Sequence, residues 1–76
     1  MKEMLEILVK SLVDNLDKVE ITEKVNGDDI ALELRVDPSD MGKVIGKQGR
    51  IAKAIRVLMK AYATKEGKKV SVEILD

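Results

Sequence analysis

The apolar residues of this chain of 76 residues follow two periods, and each period predicts a different kind of element. Near the start they recur every three or four positions, which predicts an amphipathic helix over residues 2–16. Over residues 18–25, 30–36 and 70–75 they alternate with polar residues, which predicts strands with one buried face. The helical period returns over residues 50–64, where the apolar side chains span an arc of about 200°.

Short turn signals separate these segments and set their order. Asn26-Gly27 is typical of a hairpin, so we expect the first two strands to be antiparallel. Asp37-Pro38 ends the second strand, and Ser39 or Asp40 is suited to cap a short helix over 40–45. Because two helices precede the last strand, it should run parallel to the second. We predict an α+β fold, with helices on one face of a three-stranded mixed sheet.

Length and composition narrow the class of protein. The chain is short enough that we expect residues 1–76 to form one domain. It has no Cys and no His, which excludes disulfides and removes the commonest general base and metal ligand. It shows no signal-peptide pattern, and no apolar run approaches the roughly 18 residues of a membrane span. We therefore expect a cytoplasmic protein without metal, cofactor or membrane partner.

The charge is zero overall but is divided between the two halves of the chain. Residues 1–38 hold five basic and ten acidic residues, whereas residues 39–76 hold nine and four. The basic half includes lysines or arginines at positions 43, 47, 50, 53, 56 and 60. This distribution favours a local anion site, although solvated side chains on one helix face would give the same pattern.

A Gly-x-x-Gly turn, Gly46-Lys47-Gln48-Gly49, lies in this basic half between the short and the long helix. Glycine adopts positive φ readily and lets another backbone approach closely. The free N–H groups at the start of the next helix suit a phosphate, and Lys43, Lys47 and Arg50 add positive charge. The expected ligand is a nucleic-acid backbone. The alternative is a corner in which the glycines only make the bend.

The element order and the turn together resemble a type II KH domain over essentially the whole chain. The match consists of Val44-Ile45-Gly46-Lys47-Gln48-Gly49 between two helices, followed by Ala52-Lys53-x-Ile55. The run over residues 46–56 is similar to the small bacterial proteins that consist of one such domain, the KhpA family. Many KH domains carry Ile at the third position after the second glycine, where this chain has Ala52 beside Ile51.

This resemblance implies both a fold and a function. The fold is the two-layer αββααβ arrangement of type II KH domains. The function is the binding of single-stranded RNA, whose backbone packs against the turn while its bases lie on an apolar groove. The resemblance also implies self-association, or pairing with another KH-domain protein of bacteria, and a role as an RNA chaperone or post-transcriptional regulator.

Candidate binding residues follow from the turn and its neighbours. We assign the RNA backbone to Lys43, Gly46, Lys47, Gln48, Gly49, Arg50 and Lys53, and the groove to Val44, Ile45, Ile51 and Ala54. Arg56 and Lys60 lie farther from the turn, and we interpret them as solvated helix surface. Because Tyr62 is the one aromatic residue, stacking of bases on aromatic side chains is scarcely available. We expect modest, salt-sensitive affinity.

Three other functions stay open at this point. The segment from Gly42 to Gln48 faintly resembles a phosphate-binding Walker loop, but it has three residues between its glycines instead of four and lacks the Ser or Thr that holds magnesium. With no convincing pair of catalytic carboxylates either, we expect no enzyme. Single-stranded DNA is a second alternative, since a turn that contacts a backbone does not discriminate sugars. A dimerisation module, with RNA binding secondary, is the third.

Overall fold

A computed structural model describes residues 1–75 and has the predicted element order. The helices and strands are α1 (Lys2–Lys10), β1 (Glu20–Asn26), β2 (Asp29–Arg35), α2 (Met41–Ile45), α3 (Arg50–Lys65) and β3 (Lys69–Leu75). Short 3₁₀ turns cover Leu16–Lys18 and Pro38–Asp40, and a further turn with non-helical backbone angles covers Lys47–Gly49. The α+β class and the type II KH order are confirmed. Asp76, which the predicted domain includes, lies outside the described residues.

The sheet has the strand order β1-β2-β3, with β2 in the centre. β1 and β2 are antiparallel, and Asn26 stands opposite Asp29 across the hairpin turn. β2 and β3 are parallel, with Leu32 opposite Val72. Both predicted strand pairings are confirmed, and β3 therefore forms an edge of the sheet.

One face of the sheet packs on the helices and forms the core. Its largest fully buried apolar side chains are Leu5, Leu32, Leu34, Met59, Val9 and Val44. Burying each such side chain stabilises the fold by roughly 1.5–3 kcal/mol. The other sheet face is polar, and there Lys24 Nζ lies 3.5 Å from Glu33 Oε1 across the hairpin. This division is the predicted two-layer arrangement.

Helix α1 ends at Lys10, so the predicted extension to residue 16 is wrong. The apolar period continues, but Leu12 and Leu16 are 37% and 50% exposed. The backbone N–H groups of Asp14 and Asn15 are bound instead by the carboxylate of Asp40, at 3.3 and 3.0 Å. A distant acceptor thus takes two donors that a longer helix would have paired internally.

The predicted cap of the short helix is also wrong. Asp40 occupies the position before α2 but makes no side-chain cap hydrogen bond there, because its carboxylate is turned towards Asp14 and Asn15. Asp37 is the residue that caps, since its Oδ1 accepts the Ser39 N–H at 2.9 Å and begins the 3₁₀ turn before α2.

Candidate nucleic-acid interface

The Gly-x-x-Gly turn is a fixed corner in which three of the four residues have positive φ. Gly46 has φ +74° and ψ 177°, a backbone region that is essentially restricted to glycine. Gln48 has φ +57° and Gly49 has φ +72°, both left-handed. The N–H of Gly49 donates to the carbonyl of Gly46 at 3.3 Å and closes the turn. The corner therefore has a defined backbone shape.

The two glycines are needed for different reasons. A Cβ atom on Gly46 would stand 2.6 Å from Cγ1 of Ile51, so α2 and α3 approach too closely there for any side chain. A Cβ atom on Gly49 would meet nothing within 4 Å. The space in front of Gly49 is open, which leaves room for a ligand backbone to approach the turn.

Exposed polar side chains lie within this turn and directly after it in the chain. Lys47, Gln48, Arg50 and Lys53 are all exposed. Arg50 begins the 16-residue helix α3, whose first turn has no side-chain cap, so the positive end of the helix dipole faces the same region. Lys53 follows Arg50 one turn later on the helix surface. Four of the predicted side chains are thus exposed within the turn and along the start of α3.

Lys43, unlike these four residues, is held by nearby carboxylates. Its Nζ is hydrogen-bonded to the carboxylate of Asp14 and lies 3.6 Å from Oδ1 of Asp40. The hydrogen bond to Asp14 raises the pKa of Lys43, and this outweighs the opposing effect of partial burial. Two carboxylates therefore offset the charge of Lys43, which makes it less available to an incoming phosphate than its position in the sequence indicates.

The predicted groove residues do not form one surface. Val44 is 0% exposed, so its side chain belongs to the core. Ile45 is half-buried beside the turn. Ile51 and Ala54 line an apolar groove of about 350 Å³ between α1 and α3, together with Leu8 and Leu58. This groove lies on the α1 side of helix α3, and Arg50 also lines it.

Arg56 occupies the opposite flank of α3. Its Nε donates to the backbone carbonyl of Val72 on the edge strand β3, at 3.1 Å. Because successive residues of a helix are turned by about 100°, Arg56 lies roughly 200° from Ala54 around the helix axis. Helix α3 therefore has an apolar flank towards α1 and a basic flank towards β3. Lys53 and Lys60 share the basic flank.

Sequence reasoning missed the contact of Arg56 because it treated the residue as solvated surface. The signal that it belongs with the basic flank was its spacing from Lys53. Which strand packs beside this flank can be known only from the folded structure.

Among residues 1–75, no group of three or more acidic, His or Cys side chains is placed to hold a metal ion. No helix in that range has both the length and the apolar character needed to cross a bilayer.

Known proteins resemble this chain over its whole length. The family model described as KhpA/KhpB, KH domain matches residues 2–74. The RNA-binding protein KhpA of Clostridium perfringens is 61% identical over 75 residues, which cover 99% of this chain and 100% of the relative. The protein of the same name from Clostridium acetobutylicum is 60% identical with the same coverage. That of Aquifex aeolicus is 51% identical over 76 residues, which cover 100% of this chain and 96% of the relative.

Proposed function

Because the chain belongs to the KhpA/KhpB family of KH domains, we propose that it binds single-stranded RNA through the turn formed by residues 46–49. The observation that carries this proposal is the open space in front of Gly49, which is bordered by exposed basic side chains. Residues 1–76 act as one domain in the cytoplasm, by binding and not by catalysis. The role that fits such a domain is that of an RNA chaperone or post-transcriptional regulator.

The turn contacts the sugar-phosphate backbone of the RNA. Gly49 leaves room for the backbone, while Lys47 and Gln48 point outward and contact phosphates. Arg50 adds a guanidinium, which can donate two parallel hydrogen bonds to one phosphate. Lys53 extends the positive field along α3. Lys43 contributes less than these residues, because Asp14 and Asp40 already hold its ammonium group.

The bases lie between the basic flank of α3 and the edge strand β3. Ile45 supplies apolar surface beside the turn, and Arg56 spans from α3 to the carbonyl of Val72. The one aromatic residue, Tyr62, lies near the other end of α3, so aliphatic contacts replace aromatic stacking. Ile51 and Ala54 face the α1 groove and do not contact the bases.

Few phosphates are neutralised by this small site. With three or four contacts, the slope of log K against log salt concentration for a single strand should be roughly −2 to −3. The affinity is therefore modest and falls steeply as salt is added. Pairing two such domains would raise the effective affinity without any new contact.

A charge reversal at the turn tests the proposal. The double variant Lys47→Asp, Gln48→Asp keeps both glycines and should lose binding to a fluorescently labelled single-stranded RNA. The matched control is Thr64→Asp, Lys65→Asp, which makes the same charge change at the far end of α3, roughly 22 Å away. Equal loss of affinity in both folded variants would show that only net charge matters. Unchanged affinity of the turn variant would remove the turn from the mechanism.

The choice between RNA and DNA needs a separate experiment. A turn that contacts phosphates does not by itself distinguish the two sugars. Oligonucleotides of one sequence, made as RNA and as DNA, should be titrated against the same protein at low salt. Tighter binding of RNA supports the proposal, whereas tighter binding of DNA would favour the alternative ligand.

Self-association, or pairing with another KH-domain protein, is a second candidate function. The observation that favours it is the exposure of large apolar residues that line the α1–α3 groove, with Leu12 at 37% and Leu58 at 55%. Sedimentation of the wild type and of Leu58→Ser would test it. A wild-type dimer that becomes a monomer in the variant supports pairing through this surface. A monomeric wild type would leave only pairing with a different protein, to be tested by mixing the two.

A further inference from the structure

One buried carboxylate lies outside the proposed RNA-binding surface. Asp40 is 1% exposed and is the one buried charged side chain among residues 1–75. Its Oδ1 accepts the backbone N–H of Asp14 at 3.3 Å. Its Oδ2 accepts both the backbone N–H and the side-chain Nδ2 of Asn15, each at 3.0 Å. Three donors from one loop therefore converge on a single carboxylate.

These hydrogen bonds join the loop after α1 to the start of α2. The side chain of Asn15 also donates to Ser39 Oγ at 3.3 Å, and Ser39 is held in turn by Asp37. On the outer side, Lys43 contacts the carboxylates of both Asp14 and Asp40. The segment before α2 is thus fixed to the loop that follows α1 by a connected polar network.

Helix α2 depends on such external anchors. It has five residues, which is too short to be stable in isolation or to fix its own orientation. Val44, at 0% exposure, holds one side of the helix in the core. Asp40 holds its N-terminal end. Gly46 follows directly at its C-terminal end, where the Gly-x-x-Gly turn begins.

The turn is sensitive to the placement of α2. Gly46 packs so closely on Ile51 that there is no space for even a methyl group between them. A small rotation of α2 therefore moves Gly46 relative to the first turn of α3. The same rotation displaces the open side of the turn where a ligand backbone would pack.

We infer that Asp40 is a positioning residue for the RNA-binding turn, which it orients through α2 by binding the loop after α1. The inference rests on the proposed function. Asp40 does not contact RNA, since its side chain is buried. It acts by keeping Gly46, Gln48 and Gly49 in the geometry that a backbone can fit.

Charge and geometry make opposite forecasts for Asp40→Asn. The substitution removes a negative charge near the turn and frees Lys43 from one of its two partners. Electrostatics alone would therefore make RNA binding tighter. The new amide group, however, carries N–H donors where the carboxylate had only acceptor oxygens. An N–H group then faces the N–H groups of the loop, and the network is broken. A positioning role makes RNA binding weaker in spite of the added positive charge.

The experiment compares two variants with the same charge change. Asp40→Asn should weaken binding of a labelled single-stranded RNA by roughly fivefold or more in protein that remains folded. Asp14→Asn keeps the backbone N–H that Asp40 accepts, and its side chain is 77% exposed. It should bind RNA as tightly as the wild type or more tightly. Equal or tighter binding by Asp40→Asn would overturn the inference.

A second measurement separates positioning from general stability and does not require RNA. Amide hydrogen exchange should accelerate at the Gly46 and Gly49 N–H groups in Asp40→Asn, while Leu32 in the central strand stays protected. Uniform acceleration, or unchanged exchange at the turn, would contradict the inference. If the wild type failed to bind RNA, the proposed function would fall, and local acceleration would still establish the control of the turn by Asp40.

A milder variant covers the case in which Asp40→Asn does not fold. Asn15→Ala removes one of the three hydrogen bonds to Asp40 and keeps the two backbone donors. It should shift RNA affinity and exchange at the turn in the same direction by a smaller factor, about twofold. No effect of Asn15→Ala on either measurement would count against the network.

Discussion

Gly46 and Ile51 lie in such close contact that a Cβ atom on Gly46 would stand within 3.0 Å of three Ile51 side-chain atoms. This contact joins the end of α2 to the first turn of α3. It explains why the first position of the turn must be glycine even apart from backbone strain. The second glycine, Gly49, has open space around it, so its positive φ is the one reason that glycine is favoured there.

The two glycines should therefore respond differently to alanine. Gly46→Ala adds a steric overlap to an unfavourable backbone region and should lower the free energy of unfolding by about 3 kcal/mol or more. Gly49→Ala meets no atoms and should cost about 1–2 kcal/mol from left-handed strain. Urea denaturation of both variants measures the difference. Equal costs would mean that α2 and α3 are not as close as the structure has them.

Gln48 is the one described non-glycine residue with positive φ, so its substitution should follow backbone strain. Gln48→Gly relieves the left-handed strain, which stabilises the folded chain, but it also raises the entropy of the unfolded chain, which opposes folding. The relief of strain is the larger effect, so the free energy of unfolding should rise by about 0.5 kcal/mol. Gln48→Val should lower it by about 1–2 kcal/mol, because β-branched residues are poorly tolerated there. Thermal unfolding of the pair tests this order. A more stable valine variant would contradict the left-handed conformation.

The outline of the fold could be predicted because short-range signals carry it. Asn26-Gly27 defines the hairpin, and the alternation of Ile30, Leu32 and Leu34 defines the central strand. The end of α1 could not be predicted, because its apolar period runs on to Leu16. The loop that follows the helix is bound by Asp40, which is 25 positions from Asn15 in the sequence and adjacent to it only in the folded chain.

The residue types of the turn could also be predicted from the sequence, whereas the surfaces on either side of α3 could not. Glycine spacing and basic neighbours are local, so Lys47, Arg50 and the two glycines could be singled out directly. The flank of α3 that meets β3 depends on how the helix packs. For that reason the sequence does not show that Ala54 lines the groove on the α1 side of α3, or that Arg56 contacts Val72 on the other side.

Arg56 should contribute to stability through its bond to the Val72 carbonyl. A hydrogen bond from a charged group is worth about 1.5–3 kcal/mol when well formed, and partial exposure reduces that value, so Arg56→Ala should cost about 1 kcal/mol. Arg56→Lys should recover little, because lysine lacks the Nε donor of the guanidinium. Lys60→Ala, one turn further along α3, should change stability by less than about 0.5 kcal/mol. Equal effects at both positions would show that the Val72 contact is not formed in solution.

Acid should weaken the fold through Asp40 more than through any of its neighbours. Burial raises the pKa of Asp40, but the hydrogen bonds from Asn15 and Asp14, with the charge of Lys43, outweigh it, and the net pKa lies below 3.8. The ionised carboxylate is therefore favoured by folding. Its contribution is complete above the unfolded pKa and is lost as the pH falls through the lower, folded pKa.

The measurement is the urea midpoint as a function of pH between about 2 and 6, across the ordinary range of aspartate pKa values. The urea midpoint of the wild type should fall steeply below about pH 4. Asp40→Asn should have a lower midpoint at neutral pH, and its midpoint should fall less in acid. The pKa of Asp37 is also lowered, by the side-chain and backbone hydrogen bonds from Ser39. Asp37→Asn is therefore the control, and it should keep most of the acid dependence because Asp40 still titrates. A loss of stability in acid that persists in Asp40→Asn and disappears in Asp37→Asn would assign the effect to Asp37 and not to the buried Asp40.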